Sequence, residues 1–260
     1  MKRARSLYKS IISIVLVICI MMPVSDSPII GITATSVIPI SKGAFKYEPK
    51  KWKKSKDFYT ATNCYAYALN LFKDPIKKAK YSKKNNIRGV EPGDFNIIMN
   101  YKSLLEVGVT KSEIDKRVKA DMSSIGYKIS SVSGKKLKKK INSKKTSLIY
   151  MATTSTRKTY EYYDPSKNRW VVSVADYHWY RQDSNGYWSH KRGKTKLVSN
   201  KDQKKKKIKR PDKAAKKYVS KVKNDDIGGY LFYDINGIVY TIENETNYDG
   251  DGGFYMVTRK

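Results

Sequence analysis

Cysteine and histidine, two residue types common at catalytic and metal sites, are scarce in this sequence. The 260 residues include 2 cysteines and 2 histidines. Cys19 lies in an apolar run near the N-terminus and Cys64 stands alone in the rest of the chain, so we predict no internal disulfide once that run is removed. A single thiol of this kind is either a small buried hydrophobic group or a reactive one.

Acidic residues are also few. The chain has 23 Asp and Glu against 54 Lys and Arg, for a net charge of +31. Such an excess predicts anionic neighbours, either polymers of the cell envelope or acidic membrane surfaces. The lysines are spread over most predicted loops instead of forming one stripe with interleaved aromatic residues, a pattern that does not favour a nucleic-acid site.

The N-terminus has the features of a signal peptide. Its basic start consists of Lys2, Arg3, Arg5 and Lys9. An apolar run over 11–22 follows, interrupted only by Ser13, and it is too short and too poorly flanked for a membrane anchor. We therefore predict a signal peptide at 1–34 and a secreted, extracellular protein, with the cell wall as a candidate location. A basic lead-in segment at 35–59 would precede a single domain at 60–260, with a Lys-rich loop at about 191–213.

The stretch TATNCYAYALNLF at 60–72 predicts a short helix. Apolar residues recur at steps of three and four from Tyr65 to Phe72, and Asn63 is one of several candidate N-caps before Cys64. A thiol in the first turn of a helix lies near unpaired backbone N–H groups, which favour the thiolate. A second helix is predicted at 110–125, ended by Gly126, and a short basic one at 134–141.

From Ser147 the hydrophobic period changes to that of strands. The predicted strands are 147–154, 170–175 continuing into 176–183, 187–191, 229–234, 238–243 and 254–258, with a short helical segment at 214–222. Helices followed by an antiparallel sheet are typical of an α+β fold.

Three pieces of the sequence carry a resemblance to a known family: NCYAYAL, EPGD and DYHWYRQDSNGYWSHKRG. They resemble segments of a poorly characterised family of secreted bacterial proteins, and their arrangement is similar to that of the NlpC/P60 and CHAP amidases. The resemblance implies a papain-like fold, with N-terminal helices packed on a C-terminal antiparallel sheet. Asn63 stands where an NlpC/P60 enzyme usually has an aspartate.

A cysteine hydrolase needs a thiolate, a histidine that takes and returns its proton, and a third polar group that fixes the imidazole. We predict Cys64 as the nucleophile and His178 as the acid and base. His190 is the leading third group. Its substitutes are Asp176, Asp183 and Ser189.

The turn between the two histidines decides which group faces His178. A three-residue turn at 184–186 pairs Asp183 with Tyr187 and places His190 opposite Tyr180, on the face of His178. A two-residue turn would instead bring Ser189 to that face.

The residues around these groups include candidates for substrate binding. They are Asn63, Tyr65, Trp179, Tyr180 and Trp188. Aromatic residues on paired strands also pack well against one another, so sheet packing is an alternative role for about half of the aromatic residues on this hairpin. The segment 247–252 matches the opening of a calcium loop, but its twelfth position is Thr258 instead of glutamate, and we predict no metal and no cofactor.

The sequence thus predicts a secreted cysteine hydrolase that cleaves an amide bond in cell-wall peptides or in protein through a thioester. An acyl or peptidyl transferase with the same residues is indistinguishable from it by sequence. The alternative is a non-catalytic secreted binding module, such as a toxin component or an adhesin, with a basic and aromatic recognition surface and a structural Cys64.

Overall fold

A six-stranded antiparallel sheet forms the centre of the computed structural model, which describes residues 37–53, 62–71, 90–96, 102–166, 169–193, 195–221 and 242–260. The α-helices in these residues are α1 (Cys64–Ala68), α2 (Leu104–Val107), α3 (Lys111–Ser124) and α4 (Gly134–Leu137), and 3-10 helices span Pro49–Lys53 and Pro211–Lys213. The predicted signal peptide and the predicted strand at 229–234 lie outside the described residues.

The described strands form two sheets. They are β1 (Lys128–Val132), β2 (Thr146–Thr153), β3 (Tyr160–Asp164), β4 (Arg169–Ser173), β5 (Tyr177–Gln182), β6 (Trp188–Lys191), β7 (Val198–Ser199), β8 (Lys217–Lys221), β9 (Ile242–Asn247) and β10 (Gly252–Thr258). The first sheet has the order β1-β10-β2-β5-β6-β7 and all of its pairs are antiparallel. The second has the order β3-β4-β9-β8, with β4 and β9 parallel. Helices combined with largely antiparallel sheets agree with the predicted α+β class.

Both faces of the central sheet are covered. The predicted strand at 147–154 is confirmed as β2, and every residue of β2 is buried, as expected for a continuous apolar run. On one face Ile149 and Met151 pack in a cluster with α1 and α3. On the other face Leu148 and Tyr150 pack with Tyr248, which follows β9. Because side chains alternate along a strand, the two clusters are separated by the sheet itself.

The predicted helix boundaries follow from capping. The side chain of Thr110 accepts a hydrogen bond from the Glu113 backbone N–H at 3.2 Å, which begins α3 as expected for an N-cap threonine. Gly126, with φ of +75°, lies just after the end of α3, where a left-handed residue ends a helix. In the described residues no helix has the length and apolar character needed to cross a membrane.

Two sequence predictions about local structure were wrong or incomplete. The predicted helix at 214–222 is wrong, since 217–221 forms strand β8, paired with β9. The second sheet was not predicted, although one of its strands was. The predicted strand 170–175 corresponds to β4, but its predicted continuation into 176–183 is wrong, because β4 and β5 belong to different sheets. Strand β3 was not predicted, and four of its five residues are exposed, so no buried apolar face marked it in the sequence.

The N-terminal segment packs on the central sheet instead of lying loosely over the surface. The side chain of Gln182 accepts a hydrogen bond from Ser41 N–H at 2.9 Å and donates to the carbonyl of Pro39 at 3.0 Å. A Cβ atom at Gly43 would lie 2.3 Å from the carbonyl oxygen of Thr146, so this close approach requires glycine. The predicted lead-in segment is therefore partly built into the domain.

Candidate functional site

Cys64 begins helix α1, and its position is fixed by the capping residue before it. The side-chain oxygen of Asn63 accepts hydrogen bonds from the backbone N–H groups of Tyr65 at 3.0 Å and Ala66 at 3.2 Å. Asn63 is therefore the N-cap among the predicted candidates. The helix ends at Ala68, and Asn70 has a positive φ of 56°, so the helix is shorter than the sequence pattern predicted.

The thiol of Cys64 is buried, with 5% of the residue exposed. It donates to the Tyr177 carbonyl oxygen with an S···O distance of 4.0 Å. Burial, together with the charge of Asp176, raises the pKa of Cys64 to about 12, although the Trp179 backbone N–H acts in the opposite direction. The prediction that the helix start favours the thiolate is therefore wrong for the resting state, because desolvation outweighs the few N–H groups of a five-residue helix.

The register of β5 and β6 brings the two histidines together. Asp183 N–H donates to the Tyr187 carbonyl at 2.8 Å across a three-residue turn whose Gly186 has φ of +83°. Tyr180 therefore pairs with His190, which confirms the prediction for a three-residue turn. The alternative register, which would have turned Ser189 toward His178, is wrong.

His178 and His190 form a direct hydrogen bond. The Nε2 atom of His178 lies 2.7 Å from Nδ1 of His190, and the other nitrogen of His190, Nε2, lies 3.3 Å from the carbonyl oxygen of Lys201. A carbonyl oxygen only accepts, so Nε2 of His190 carries a proton and Nδ1 of its neutral ring accepts. His178 must then donate from Nε2, which leaves its Nδ1 as an unprotonated base.

Burial keeps both rings neutral. It lowers the pKa of His190 to about 4 and the pKa of His178 well below its usual range, with the charges of His190 and Arg192 as further causes for His178. The ring of His178 is held between two tyrosines, with centroid distances of 4.9 Å to Tyr180 and 5.1 Å to Tyr248. Its orientation is therefore fixed by packing as well as by the hydrogen bond.

Cys64 and His178 line the same cavity. Its volume is about 370 Å³, at the lower end of the range of roughly 300–1,000 Å³ that small-molecule sites occupy. The other residues on its wall are Asn63, Glu91, Ser103, Leu104, Val109, Ala175, Asp176, Tyr177, Arg192, Gly193, Tyr218, Thr246 and Tyr248. His190 lies behind His178 and is itself buried.

Asp176 is the one substitute for His190 that reaches the cavity. Its carboxylate accepts hydrogen bonds from the Tyr248 hydroxyl at 2.5 Å and from the Tyr177 backbone N–H at 2.8 Å. Burial raises the pKa of Asp176 to about 6, and these two donors lower it. The carboxyl group is therefore a second titratable group beside Cys64.

The other two substitutes are held by different partners. Asp183 accepts a hydrogen bond from Arg181 at 3.3 Å, and Ser189 forms a 2.7 Å hydrogen bond with the Tyr67 hydroxyl. Both Ser189 and its strand partner Arg181 lie on the α1 side of the sheet, because they alternate with His190 and Tyr180.

Four of the five predicted substrate-binding residues lie in the core instead of on the cavity wall. Tyr65 and Trp179 belong to the cluster around α1, and Tyr180 and Trp188 to the cluster on the opposite face of the sheet. All four are nearly or fully buried, as expected for aromatic residues on paired strands. Asn63 alone lines the cavity.

The cavity wall also contains residues that the sequence did not identify. Tyr248 and Tyr218 come from the second sheet, whose existence was not predicted, and Arg192 follows β6 directly. The motif HKRG at 190–193 was a usable signal, since a turn just after a predicted catalytic strand is well placed to contact a ligand.

The carboxylate of Asp249, in the segment 247–252 that matches the opening of a calcium loop, is used for hydrogen bonds within the protein. The carboxylate of Asp249 accepts hydrogen bonds from the Ser155 backbone N–H at 3.2 Å and from the side-chain amide of Asn247 at 2.9 Å. In the described part of the chain no group of three or more His, Cys, Asp or Glu side chains is arranged to hold a metal ion.

Comparisons of the chain with models of protein families, with curated proteins and with solved structures give no match.

Proposed function

We propose that this protein is a secreted cysteine hydrolase, an amidase or peptidase of papain-like architecture. Cys64 is the nucleophile, His178 the acid and base, and His190 the group that orients His178. The substrates are peptide stems of the cell wall or proteins, and the positive surface holds the enzyme on anionic envelope polymers. The arrangement of NCYAYAL, EPGD and DYHWYRQDSNGYWSHKRG along the chain, which is similar to that of the NlpC/P60 and CHAP amidases, supports the same proposal.

The hydrogen bond between the two imidazoles is the observation that carries this proposal. It fixes His178 as the tautomer with a free Nδ1, in a cavity that the Cys64 side chain also lines. A base needs an unprotonated nitrogen and a fixed ring, and the Lys201 carbonyl, His190 and two tyrosines supply both. A buried structural histidine needs such partners too, so what favours a base is the unprotonated Nδ1 of a residue that lies on the cavity wall.

The chemistry starts from neutral groups. The thiol, which donates to the Tyr177 carbonyl in the absence of substrate, has to turn toward His178 when substrate binds. Its proton then passes to Nδ1 of His178 as the sulfur attacks the substrate carbonyl carbon. The new charge on oxygen is accepted by the Cys64 backbone N–H and the Asn63 side-chain amide. The C–N bond then breaks, the amine leaves with the proton from His178, and a thioester remains. Water, deprotonated by His178, attacks the thioester and returns the thiol.

The pKa shifts of Cys64 and His178 determine when the thiol proton moves. A resting thiolate–imidazolium pair is disfavoured, since burial raises the pKa of Cys64 and lowers that of His178. Proton transfer must therefore accompany substrate binding, when the developing charge on oxygen meets the Cys64 backbone N–H.

Cleavage of peptides by matched variants tests the proposal. Wild type, Cys64→Ala and His178→Ala are incubated with cell-wall peptides and with unfolded protein, and new amino groups are detected by mass spectrometry. We expect cleavage by wild type, none by Cys64→Ala, and a loss of about a hundredfold or more in His178→Ala. Cleavage that survives in Cys64→Ala would exclude the thioester mechanism.

The burial of Cys64 favours a second candidate function, a non-catalytic binding module. A thiol that is 5% exposed and has a pKa raised to about 12 is also what a structural cysteine looks like. In that case Cys64→Ala lowers the free energy of unfolding by about 1 kcal/mol or more, as for other buried side chains made smaller, and leaves binding to envelope polymers unchanged.

A further inference from the structure

Arg192 places a cation on the wall of the cavity that Cys64 and His178 share. It directly follows β6, and its guanidinium lies over the ring of Tyr218, 5.0 Å from the centroid. Stacking on an aromatic ring holds the guanidinium plane while its N–H groups stay able to bind another ligand. In the described part of the chain, no carboxylate lies within ion-pair distance of this guanidinium.

The backbone around Arg192 is held firmly. Its N–H donates to the Leu197 carbonyl at 2.9 Å, and its carbonyl accepts from the Thr195 hydroxyl at 2.7 Å. The buried ammonium of Lys191 donates to the Gly193 carbonyl at 2.7 Å. The turn that carries Arg192 is thus pinned from within the domain, which reduces the ordering cost of binding a ligand there.

The carboxylates of Asp176 and Glu91 share the wall with Arg192. Asp176 already accepts hydrogen bonds from Tyr248 and Tyr177, so its charge is partly compensated. Among the described residues neither carboxylate pairs with the Arg192 guanidinium, which leaves this cation available to a ligand anion.

Burial is the main cause of the lowered pKa of both His178 and His190, and the charge of Arg192 is a smaller cause. A bound anion would offset the part due to Arg192 and make His178 a better base when the ligand is present.

We propose that Arg192 binds a carboxylate of the ligand, so that the site takes peptides with a carboxylate close to the carbonyl group that faces Cys64. This inference rests on the proposed function for the role of Cys64, and it adds the class of substrate. Arginine suits this role because its planar fork matches a carboxylate with two parallel hydrogen bonds.

Two alkylating reagents of similar size and different charge test the proposal on the full chain. Iodoacetate carries a carboxylate and iodoacetamide a neutral amide; in both, the Cys64 sulfur bonds to carbon and iodide leaves. The rate ratio of the two reagents is measured by mass spectrometry of the peptide that contains Cys64, with a small free thiol as reference. We expect the ratio of wild type to exceed that of the reference by about fivefold.

Matched variants separate Arg192 from the general positive field. Arg192→Gln should return the ratio to within about twofold of the free thiol, and Arg192→Lys should keep part of the preference, because a lysine retains charge but not the fork. Lys196→Gln removes the same charge from an exposed position on the same turn and should behave as wild type. High salt should reduce the field effect more than the direct contact.

A ratio in wild type equal to that of the free thiol, or one unchanged by Arg192→Gln, would overturn the inference. Failure of both reagents to label Cys64 in the folded protein would also overturn it, since a ligand carbonyl group could then not reach the thiol with its carboxylate on Arg192. If Arg192→Gln does not fold, protection of wild-type Cys64 from iodoacetamide by acetate, compared with acetamide, gives the same information.

The outcome for the proposed function is read separately. His178→Ala should slow both reagents and leave their rate ratio unchanged. Equal rates in wild type and His178→Ala would contradict the hydrolase, whereas a wild type without preference for iodoacetate would contradict the role of Arg192.

Discussion

At the scale of single residues, the tautomer of His178 is set by its hydrogen bond to His190 and, through that ring, by the Lys201 carbonyl. The turn sequence Ser-Asn-Gly at 184–186 was enough to expect His190 on the face of His178, because the side-chain period of a strand is two. The tautomer depends on the Lys201 carbonyl, which lies in a Lys-rich segment with no apolar pattern. Contacts of this kind depend on where a loop returns in space and leave no local signal.

Replacing His190 by asparagine tests the role of this pair. The amide oxygen of His190→Asn can accept the hydrogen bond from His178, whereas His190→Ala removes the acceptor. We expect His190→Asn to keep more hydrolase activity than His190→Ala, by about tenfold, as found for groups that orient a catalytic base. Equal activities in the two variants would show that His190 does not orient His178.

The same substitution predicts a change in the pH dependence of stability. The pKa of His190 is about 4 in the folded protein and about 6.5 in an unfolded chain. Protons therefore bind the unfolded state first, and the stability contributed by the neutral ring is present above pH 6.5 and is lost as the pH falls toward 4. Asparagine does not titrate, so the variant should lose less stability over this range.

The expected difference is on the order of 3 kcal/mol between pH 7 and pH 4, taken from the size of the pKa shift. Urea unfolding of wild type and His190→Asn at both pH values measures it. Parallel loss of stability in the two proteins would contradict a depressed pKa for His190.

At the scale of helices and strands, β5 joins elements from distant parts of the sequence. Its Arg181 is 1% exposed, and the guanidinium donates to the carbonyl oxygens of Tyr67 at 3.3 Å and Lys46 at 3.2 Å. It also lies 4.0 Å from the ring centroid of Tyr67 and 3.3 Å from the Asp183 carboxylate. Arginine is seldom fully buried unless it is paired. The burial of Arg181 follows from the crossing of α1 and the N-terminal segment over the same strand.

Removing this buried cation should be costly. Arg181→Met leaves the carboxylate of Asp183 buried without its ion-pair partner, and we expect a loss of about 3–5 kcal/mol in the free energy of unfolding. Adding Asp183→Asn should recover part of that loss, because the unpaired charge is gone. Burial raises the pKa of Asp183 to about 6, so the loss in Arg181→Met should be smaller at pH 5 than at pH 8.

Arg210→Met is the matched control for this measurement. Arg210 and Asp212 form an ion pair at 2.8 Å in which both side chains are 22% exposed, and pairs close to the surface contribute about 0–1 kcal/mol. Urea unfolding of the variants decides between the two cases. A cost for Arg181→Met as small as that of Arg210→Met would mean that the buried cation does not hold these segments together.

At the scale of the whole molecule, the class of fold was predictable and the shape of the cavity was not. Buried strands and capped helices gave clear apolar patterns, as in β2 and α3. The far wall of the cavity, with Tyr218 and Tyr248, comes from a sheet with exposed polar strands. The aromatic residues that were predicted to bind substrate lie in the core, because sequence alone does not show which face of a strand is covered.

The net charge of +31 leads to the last prediction, on binding to the cell wall. If the lysines act through their summed field, binding to walls that carry phosphate-rich polymers should fall steeply between 0.05 and 0.5 M salt, on the order of tenfold or more, as the Debye length shortens. Walls stripped of these polymers should bind weakly at all salt concentrations. Cosedimentation of the protein with both kinds of wall measures this.

Two sets of lysine substitutions distinguish a summed field from a single binding patch. The lysines at 204–206 and those at 138–140 are exposed, and each set replaced by glutamine removes three charges. A field spread over the surface predicts similar, modest losses of wall binding for both sets, and none for Arg192→Gln beyond the effect of one charge. A large loss of wall binding in one set alone would locate a specific polymer site at those lysines. The two sets change the net charge equally, so only a localised contact can explain different losses.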